Sequence, residues 1–135
     1  MKKILQILFL ALLMVSCSSD DDPTEEVHDV SFSVRSTDES RQSRIEFNIM
    51  GSEKEVYHSS YSNDHLPLTR NYPAHKVKQF TLLGIQYSDN SAGAVGETFE
   101  PYTVTLEIKV DSEIKAEKEV TITEGGQVDS VSFTF

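Results

Sequence analysis

Cysteine is nearly absent from this chain of 135 residues, and tryptophan is wholly absent. Because Cys17 is the one cysteine, neither an intrachain disulfide nor a zinc site of four cysteines can form, and the fold must rest on an apolar core. Basic residues are also scarce, with 12 Lys and Arg against 22 Asp and Glu. This balance argues against a nucleic-acid partner, whose phosphates need a basic stripe, and against docking on anionic headgroups.

Sequence signatures of catalysis are missing as well. The four histidines show no close metal-ligand spacing, and no serine lies in a GxSxG motif. Neighbouring carboxylates such as Asp38 and Glu39 lie in polar segments that would not raise a pKa. We therefore expect no enzyme activity, no metal and no cofactor other than a covalent lipid. The length of the chain leaves room for one domain.

Long apolar runs are limited to the amino terminus. Lys2 and Lys3 precede an apolar stretch from Ile4 to Val15 that only Gln6 interrupts. The stretch is shorter than the roughly 20 apolar residues of a membrane span, and aspartates follow it instead of a stop-transfer pattern. Residues 1–16 are therefore predicted to be a cleaved signal peptide.

The segment from Leu13 to Cys17, with Ser16 directly before the cysteine, resembles the lipobox of bacterial prolipoproteins. The family usually carries Leu where this chain has Met14. The resemblance implies cleavage before Cys17, a diacylglycerol on its thiol and acylation of the new amino terminus. Several acyl chains on one residue give stable anchoring without a spanning helix. The alternative is an incidental cysteine behind an ordinary signal peptide.

Residues 17–26 are predicted to be the lipidated cysteine followed by a disordered acidic tether. Loss of Lys2 and Lys3 with the leader takes the formal net charge from −10 to −12. The lipid-proximal acids resemble the surface-export signal of Bacteroides-type lipoproteins, with the matching residues Ser19, Asp20, Asp21 and Asp22. The resemblance implies a lipid-anchored protein of the outer membrane that faces the cell exterior. The alternatives are a plain spacer, repelled by a negative membrane, and a calcium site, for which the EF-hand ligand pattern is missing.

Alternation of apolar and polar residues dominates from Val27 onward. It marks strands around Val30–Val34, Ile45–Ile49 and Val131–Phe135, and a hairpin whose turn is Asp111-Ser112. About seven strands and no amphipathic helix predict an all-β domain over residues 27–135. The expected fold is an antiparallel Greek-key β-sandwich of immunoglobulin-like or transthyretin-like type, with a small closed barrel as the alternative. The last strand is a candidate sheet edge, open to a partner strand.

The middle of the chain is less regular. Apolar positions change parity between Val77 and Tyr87, which predicts one long strand with a β-bulge. Pro67 and Pro73 predict an ordered connection without strands, because proline cannot pair within a central strand.

The order of the strands, the Leu-Pro in the middle and the hairpin from Leu106 to Asp111 are similar to the MmpS-type transport-accessory domains. The chain departs from them in Ser112, where they carry Gly, and in lacking their Trp and paired cysteines. This resemblance implies a transthyretin-like or immunoglobulin-like sandwich and a periplasm-facing accessory of a transporter.

Aromatic residues with an arginine gather in the irregular middle, and they form a candidate ligand-binding loop of Tyr57, Tyr61, Arg70 and Tyr72. Tyrosines on loops can stack on a sugar or contact a protein partner. The alternative is that these rings simply cover the ends of the sandwich. The sequence thus supports two hypotheses, a surface-exposed lipoprotein that binds a protein or glycan without catalysis, and a periplasmic envelope accessory.

Overall fold

Eight strands build the described part of the chain, which comprises residues 24–59, 64–91 and 98–135 of a computed structural model. In chain order they are β1 (Glu26–Ser36), β2 (Ser43–Met50), β3 (Val56–Ser59), β4 (Leu68–Val77), β5 (Leu82–Asp89), β6 (Tyr102–Val110), β7 (Glu113–Ile122) and β8 (Val128–Thr134). Over these residues, no helix is present that has the length and apolar character to cross a membrane.

The strands form two antiparallel sheets of four, in the orders β4-β1-β6-β7 and β3-β2-β5-β8. The chain crosses repeatedly between the sheets, and β4 returns to pair with β1, as the fourth strand of a Greek key does. The all-β antiparallel sandwich predicted from the alternation is confirmed, with eight strands where about seven were expected.

The core lies between the sheets and follows directly from the alternation. Val30, Phe32 and Val34 of β1 are fully buried, and the Phe32 ring stacks on Phe47 of β2 at a centroid distance of 5.3 Å. Every second residue of a strand faces the same side, so polar neighbours such as Ser31 lie on the outer face. The strand begins at Glu26, one residue before the predicted domain start.

The prediction of a strand-free connection around Pro73 is wrong, since Pro73 lies inside β4. The strand is at an edge of its sheet and pairs only with β1, so the missing N–H of Pro73 need not face a partner. The register between β1 and β4 shifts between His28 and Val30, opposite this part of β4.

The prediction of one bulged strand from Val77 to Tyr87 is also wrong. The parity change marks a tight turn between β4 and β5, in which the Thr81 N–H donates to the Lys78 carbonyl at 3.0 Å. Phe80 lies in this turn with a φ of 72°. The sequence hides the turn because glycine or asparagine usually occupies such a position.

The predicted hairpin at Asp111-Ser112 is confirmed. It joins β6 to β7, and both turn residues have positive φ, at 52° and 70°. The Asp111 carboxylate accepts a hydrogen bond from the Asp29 N–H at 2.9 Å, which ties the hairpin to β1. This bond helps an aspartate to serve where Asn-Gly is the commoner hairpin turn.

Strand β8 is an edge of its sheet, paired only with β5. Asp89 N–H donates to the Gln127 carbonyl, and Phe135 N–H donates to the Thr81 carbonyl. Because antiparallel hydrogen bonds alternate along a strand, the Ser132 and Thr134 amides point to the open edge, and those of Val131 and Phe133 point to β5.

In a dilute solution of the protein we expect Ser132 and Thr134 amides to exchange with deuterium at least about a hundredfold faster than those of Val131 and Phe133. Amide-resolved hydrogen exchange measures the difference, and the paired amides of β5 serve as the internal control. Equal, slow exchange along the whole of β8 would contradict an open edge.

Candidate functional site

The two ends of the sandwich differ in what they carry. At the proximal end, where β1 begins, the connections between strands are the short segments 51–55, 78–81 and 111–112. At the distal end the described parts of the connections are 37–42, 64–67, 90–91, 98–101 and 123–127. Binding residues occur preferentially on loops that a rigid scaffold positions, so the distal end is the candidate site.

A buried carboxylate, Asp89, lies at the centre of the distal end and is only 3 % exposed. Its Oδ1 accepts the Tyr102 hydroxyl at 2.7 Å and the Ser91 hydroxyl at 2.6 Å. Its Oδ2 accepts the backbone N–H of Gly126 at 3.2 Å. These donors belong to the segments 90–91 and 123–127 and to the start of β6, so one side chain joins three parts of the distal end.

Tyr102 connects Asp89 to the core by hydrogen bonds. Its hydroxyl lies 2.7 Å from that of Tyr87, and because Tyr102 gives its proton to Asp89, Tyr87 must be the donor in this pair. Burial, followed by the hydrogen bond to Asp89, raises the pKa of Tyr102 well above its ordinary value. Burial likewise raises the pKa of Tyr87. Both tyrosines are therefore neutral donors at physiological pH.

The sequence places these groups by continuing a strand pattern. Leu83, Ile85 and Tyr87 face the core, and the same alternation turns Asp89 inward at the end of β5. Gly126 has a φ of +80°, which lets the turn aim its N–H at that carboxylate. Our sequence prediction missed Asp89. The signal that could have found it is that Asp89 continues the alternate, core-facing positions of Leu83, Ile85 and Tyr87.

Arg41 covers the network from the outside. Its guanidinium lies 4.9 Å from the centre of the Phe99 ring and 5.1 Å from that of Tyr102, within the range of cation–π attraction. It also pairs with Asp38 at 2.8 Å and donates to the Glu100 carbonyl at 3.0 Å. Arg41 thus holds segment 37–42 against residues 98–101.

An open depression of about 440 Å³ lies beside this arginine and is lined by Asp38, Ser40, Arg41, Gln42 and Ser91. The lining offers a carboxylate, hydroxyls, an amide and a guanidinium, which suit a polar, hydroxyl-rich or peptide-like ligand. The hydrogen bond from Ser40 lowers the pKa of Asp38, so this acid is ionised at neutral pH. The geometry fits recognition by hydrogen bonds.

The contact between His75 and Ser52 lies at the proximal end, away from the distal network. His75 Nε2 is 3.2 Å from the Ser52 hydroxyl in the turn between β2 and β3. That hydroxyl donates to the Lys54 carbonyl at 2.9 Å, so it is used to close the turn and its proton is not passed to the histidine. Burial lowers the pKa of His75. No group of three residues that could hold a metal ion occurs among the described residues.

Three of the four residues predicted to form a ligand-binding loop, Tyr57, Arg70 and Tyr72, lie on strands. Tyr57 lies on β3, 68 % exposed, and pairs with Asn48 on the outer face of its sheet. Arg70 and Tyr72 lie on β4 of the other sheet, and the Tyr72 ring packs edge-on against Phe32 at 5.8 Å. Tyr57 is therefore on a different sheet from Arg70 and Tyr72.

Several predicted functional residues lie outside the described residues. They are Tyr61, the lipid-attachment residue Cys17 and the export-signal residues Ser19, Asp20, Asp21 and Asp22.

The last two residues of the predicted tether are fixed to the domain. Glu25 pairs with Lys78 at 3.1 Å and with Lys76 at 3.4 Å. Glu26 lies 3.1 Å from His28 Nε2, while His28 Nδ1 lies 2.6 Å from Asp111. The acidic segment that can act as a spacer is therefore shorter than the predicted 17–26.

The interactions of His28 predict how the stability of the domain depends on pH. The hydrogen bond to Asp111, and then that to Glu26, raise the pKa of His28 above its ordinary value near 6.5. Its stabilising effect is then fully present below that value and lost as the pH rises through the raised pKa. We expect the loss of stability in His28→Gln to be larger at pH 5.5 than near pH 8.5 by about 0.5–1 kcal/mol, because the neutral ring keeps its contact with Phe135 but loses its charge. Urea unfolding of both proteins across this range measures it, and a pH-independent difference would contradict it.

Searches against protein-family models and against curated protein sequences gave no match to this chain.

Proposed function

We propose that this chain is a lipoprotein of the outer membrane, anchored by lipid on Cys17 and facing the cell exterior, with a non-enzymatic sandwich that binds a protein or glycan partner. The observation that supports this proposal is that the chain enters the domain at one end and the longer connections lie at the other. The described chain enters at the proximal end, following Cys17 in sequence, while the longer connections lie at the opposite end. A domain tethered in this way presents its loops away from the membrane.

The distal end has the properties of a binding surface. Asp89 and Arg41 hold the surrounding segments in place from inside and outside, so ligand groups meet a preformed arrangement. Asp38, Ser40 and Gln42 lie in the depression beside them. Together they offer both donors and acceptors to a partner.

Protease treatment of intact cells tests the orientation, with an antibody to the carboxyl terminus as the readout and a periplasmic protein as the control. We expect the domain to be digested while the control stays intact. Full protection that ends on lysis would contradict surface exposure and favour the periplasmic accessory of the alternative hypothesis.

The acids after the cysteine are tested with the same assay. A variant with Asp20, Asp21 and Asp22 all changed to Asn keeps Cys17 and the domain but removes the charges of the export signal. We expect this variant to be anchored and protected from protease. Unchanged digestion would show that the acids act only as a spacer.

Site-specific crosslinking tests the binding surface in whole cells. A photoreactive residue is placed at exposed Gln42 in the distal depression, and at exposed Gln79 in the proximal turn as the matched control. We expect protein or glycan adducts at position 42 and none at position 79. Adducts at position 79 alone, or at neither position, would contradict a distal binding site.

A further inference from the structure

Exposed apolar side chains are concentrated at the proximal end of the sandwich. The described residues contain six exposed large apolar side chains. Four of them, Val27, Met50, Phe80 and Ile114, lie at the start of β1, the end of β2, the turn after β4 and the start of β7. All four positions belong to the proximal end. The remaining two, Tyr57 and Val128, lie on β3 and at the distal start of β8.

Phe80 stands out among the four because its side chain is the most exposed. The side chain is 74 % exposed, and its backbone has a φ of 72°. The Phe80 N–H donates to the Phe135 carbonyl at 3.0 Å, and any residue could supply that N–H. A bulky residue with positive φ is an outlier, and such outliers cluster at functional positions. A glycine would relieve the backbone and remove the exposed ring.

The neighbouring turns place Phe80 and Met50 near each other. Thr81, the residue after Phe80, donates its hydroxyl to the carbonyl of Gly51, the residue after Met50, at 3.4 Å. The two apolar residues therefore come from adjoining chain segments. Single exposed apolar residues are ordinary, whereas apolar residues that adjoin one another, as the segments of Phe80 and Met50 do, are typical of an interaction surface.

From these observations we propose that the proximal end is a membrane-docking surface, with Phe80 and Met50 entering the headgroup region of the bilayer that holds the lipid anchor. The proposal rests on the proposed function, because lipid on Cys17 brings this end to the membrane. The stretch from Cys17 to Thr24 spans at most about 25 Å when extended. Thr24 itself lines a groove at this end together with Lys78 and Phe135.

Because the domain is tethered, a weak contact with the membrane is enough to orient it. An anchored domain meets its own membrane at a high effective concentration, so a few apolar side chains can hold an orientation that they could not hold from solution. The apolar face of an interfacial amphipathic helix lies about 5–10 Å into the headgroup and acyl boundary, and we expect Phe80 and Met50 to reach a similar depth.

The charges at this end favour a neutral lipid surface. Lys76 and Lys78 are paired with Glu25, and Lys76 also with Glu53 at 3.1 Å, so these lysines are already neutralised. Lys115, near Ile114, is paired with Glu113 at 2.6 Å. The contact is therefore expected to be apolar and to occur on zwitterionic lipid.

The chain has no tryptophan, so one introduced tryptophan reports its own surroundings. We place it at position 80 as Phe80→Trp, at position 50 as Met50→Trp, and at the distal end as Val128→Trp, the matched control. Each full-length lipidated protein is reconstituted in phosphatidylcholine vesicles, with and without brominated acyl chains that quench tryptophan. Flotation of the vesicles reports anchoring independently.

We expect all three proteins to float with the vesicles, and brominated lipid to reduce the emission of Trp at positions 80 and 50 about twofold, because their rings lie at the depth of the acyl boundary. Emission at position 128 should not change. Should Phe80→Trp fold poorly, the Met50→Trp protein gives the same readout.

Flotation without quenching at positions 80 and 50 overturns the docking surface and leaves the proposed anchor standing. Equal quenching at all three positions also overturns it, since the domain would then lie on its side. Failure to float overturns both the anchor and the docking that depends on it.

Discussion

Replacing Cys17 with Ala is expected to move essentially the whole protein from the membrane fraction to the soluble fraction. Each buried methylene contributes about 0.8 kcal/mol to membrane binding, and the several acyl chains of a lipoprotein act together. The domain contacts proposed for Phe80 and Met50 are too weak to hold it without the tether.

Metabolic labelling with an alkyne-tagged fatty acid measures the lipid directly. The parent protein should be labelled and the Cys17→Ala protein unlabelled, with flotation of the envelope as the second readout. Ser18→Ala is the matched control, because it changes the adjacent residue and leaves the thiol in place. Fatty-acid label that persists in Cys17→Ala would refute lipidation at this residue.

Most of the fold could be predicted because alternation reports directly which side of a strand is buried. Val30, Phe32 and Val34 read as one apolar face in the sequence and are one in the structure. The hairpin at Asp111 was likewise visible as two alternating runs with a short polar gap. These are local patterns, and they need no knowledge of which strand lies beside which.

The errors in the middle of the chain have a common cause. Pro73 predicts an interruption of strand structure, yet it is accommodated because β4 is an edge strand, and edge position is a property of the assembled sheet. The turn at Phe80 was read as a bulge because it lacks glycine and asparagine. In both cases tertiary structure decided what local propensity could not.

The distal network could not be predicted because its members are distant in sequence. Asp89 is 13 residues from Tyr102 and 37 from Gly126, and only the pairing of strands brings them together. Composition points instead to Tyr57 and Tyr72, which are separated by about the same length of chain as Asp89 and Tyr102 but lie on different sheets. Nearness along the chain was therefore a poor guide to the site.

Asp89→Ala is expected to lower the free energy of unfolding by about 3–5 kcal/mol, because it leaves several buried donors without an acceptor. The hydroxyls of Tyr102 and Ser91 and the Gly126 N–H all lose their partner. A domain of this size is stable by about 5–15 kcal/mol, so the variant would be marginal at 37 °C. Urea unfolding gives the value directly.

Two further variants distinguish the loss of the hydrogen bonds to Asp89 from the general effect of removing a carboxylate on the free energy of unfolding. Glu124→Ala removes an exposed carboxylate from the neighbouring turn and should change stability by less than about 0.5 kcal/mol. Asp89→Asn keeps the shape but turns an amide donor towards donors, and about 2 kcal/mol is expected. An Asp89→Ala protein within about 1 kcal/mol of the parent would show that the network does not hold the distal end together.

The Asp89→Ala variant also shows which part of the domain depends on this carboxylate. Asp89 lies beneath the depression and does not line it, whereas Arg41 both lines it and packs on Phe99 and Tyr102. Loss of Asp89 should therefore loosen segments 98–101 and 123–127 while the hairpin of β6 and β7, at the other end, keeps its hydrogen-bonded register. The lower free energy of unfolding speeds exchange at every amide that opens by global unfolding. A larger increase at the distal end than in this hairpin would show that the carboxylate organises the distal loops in particular.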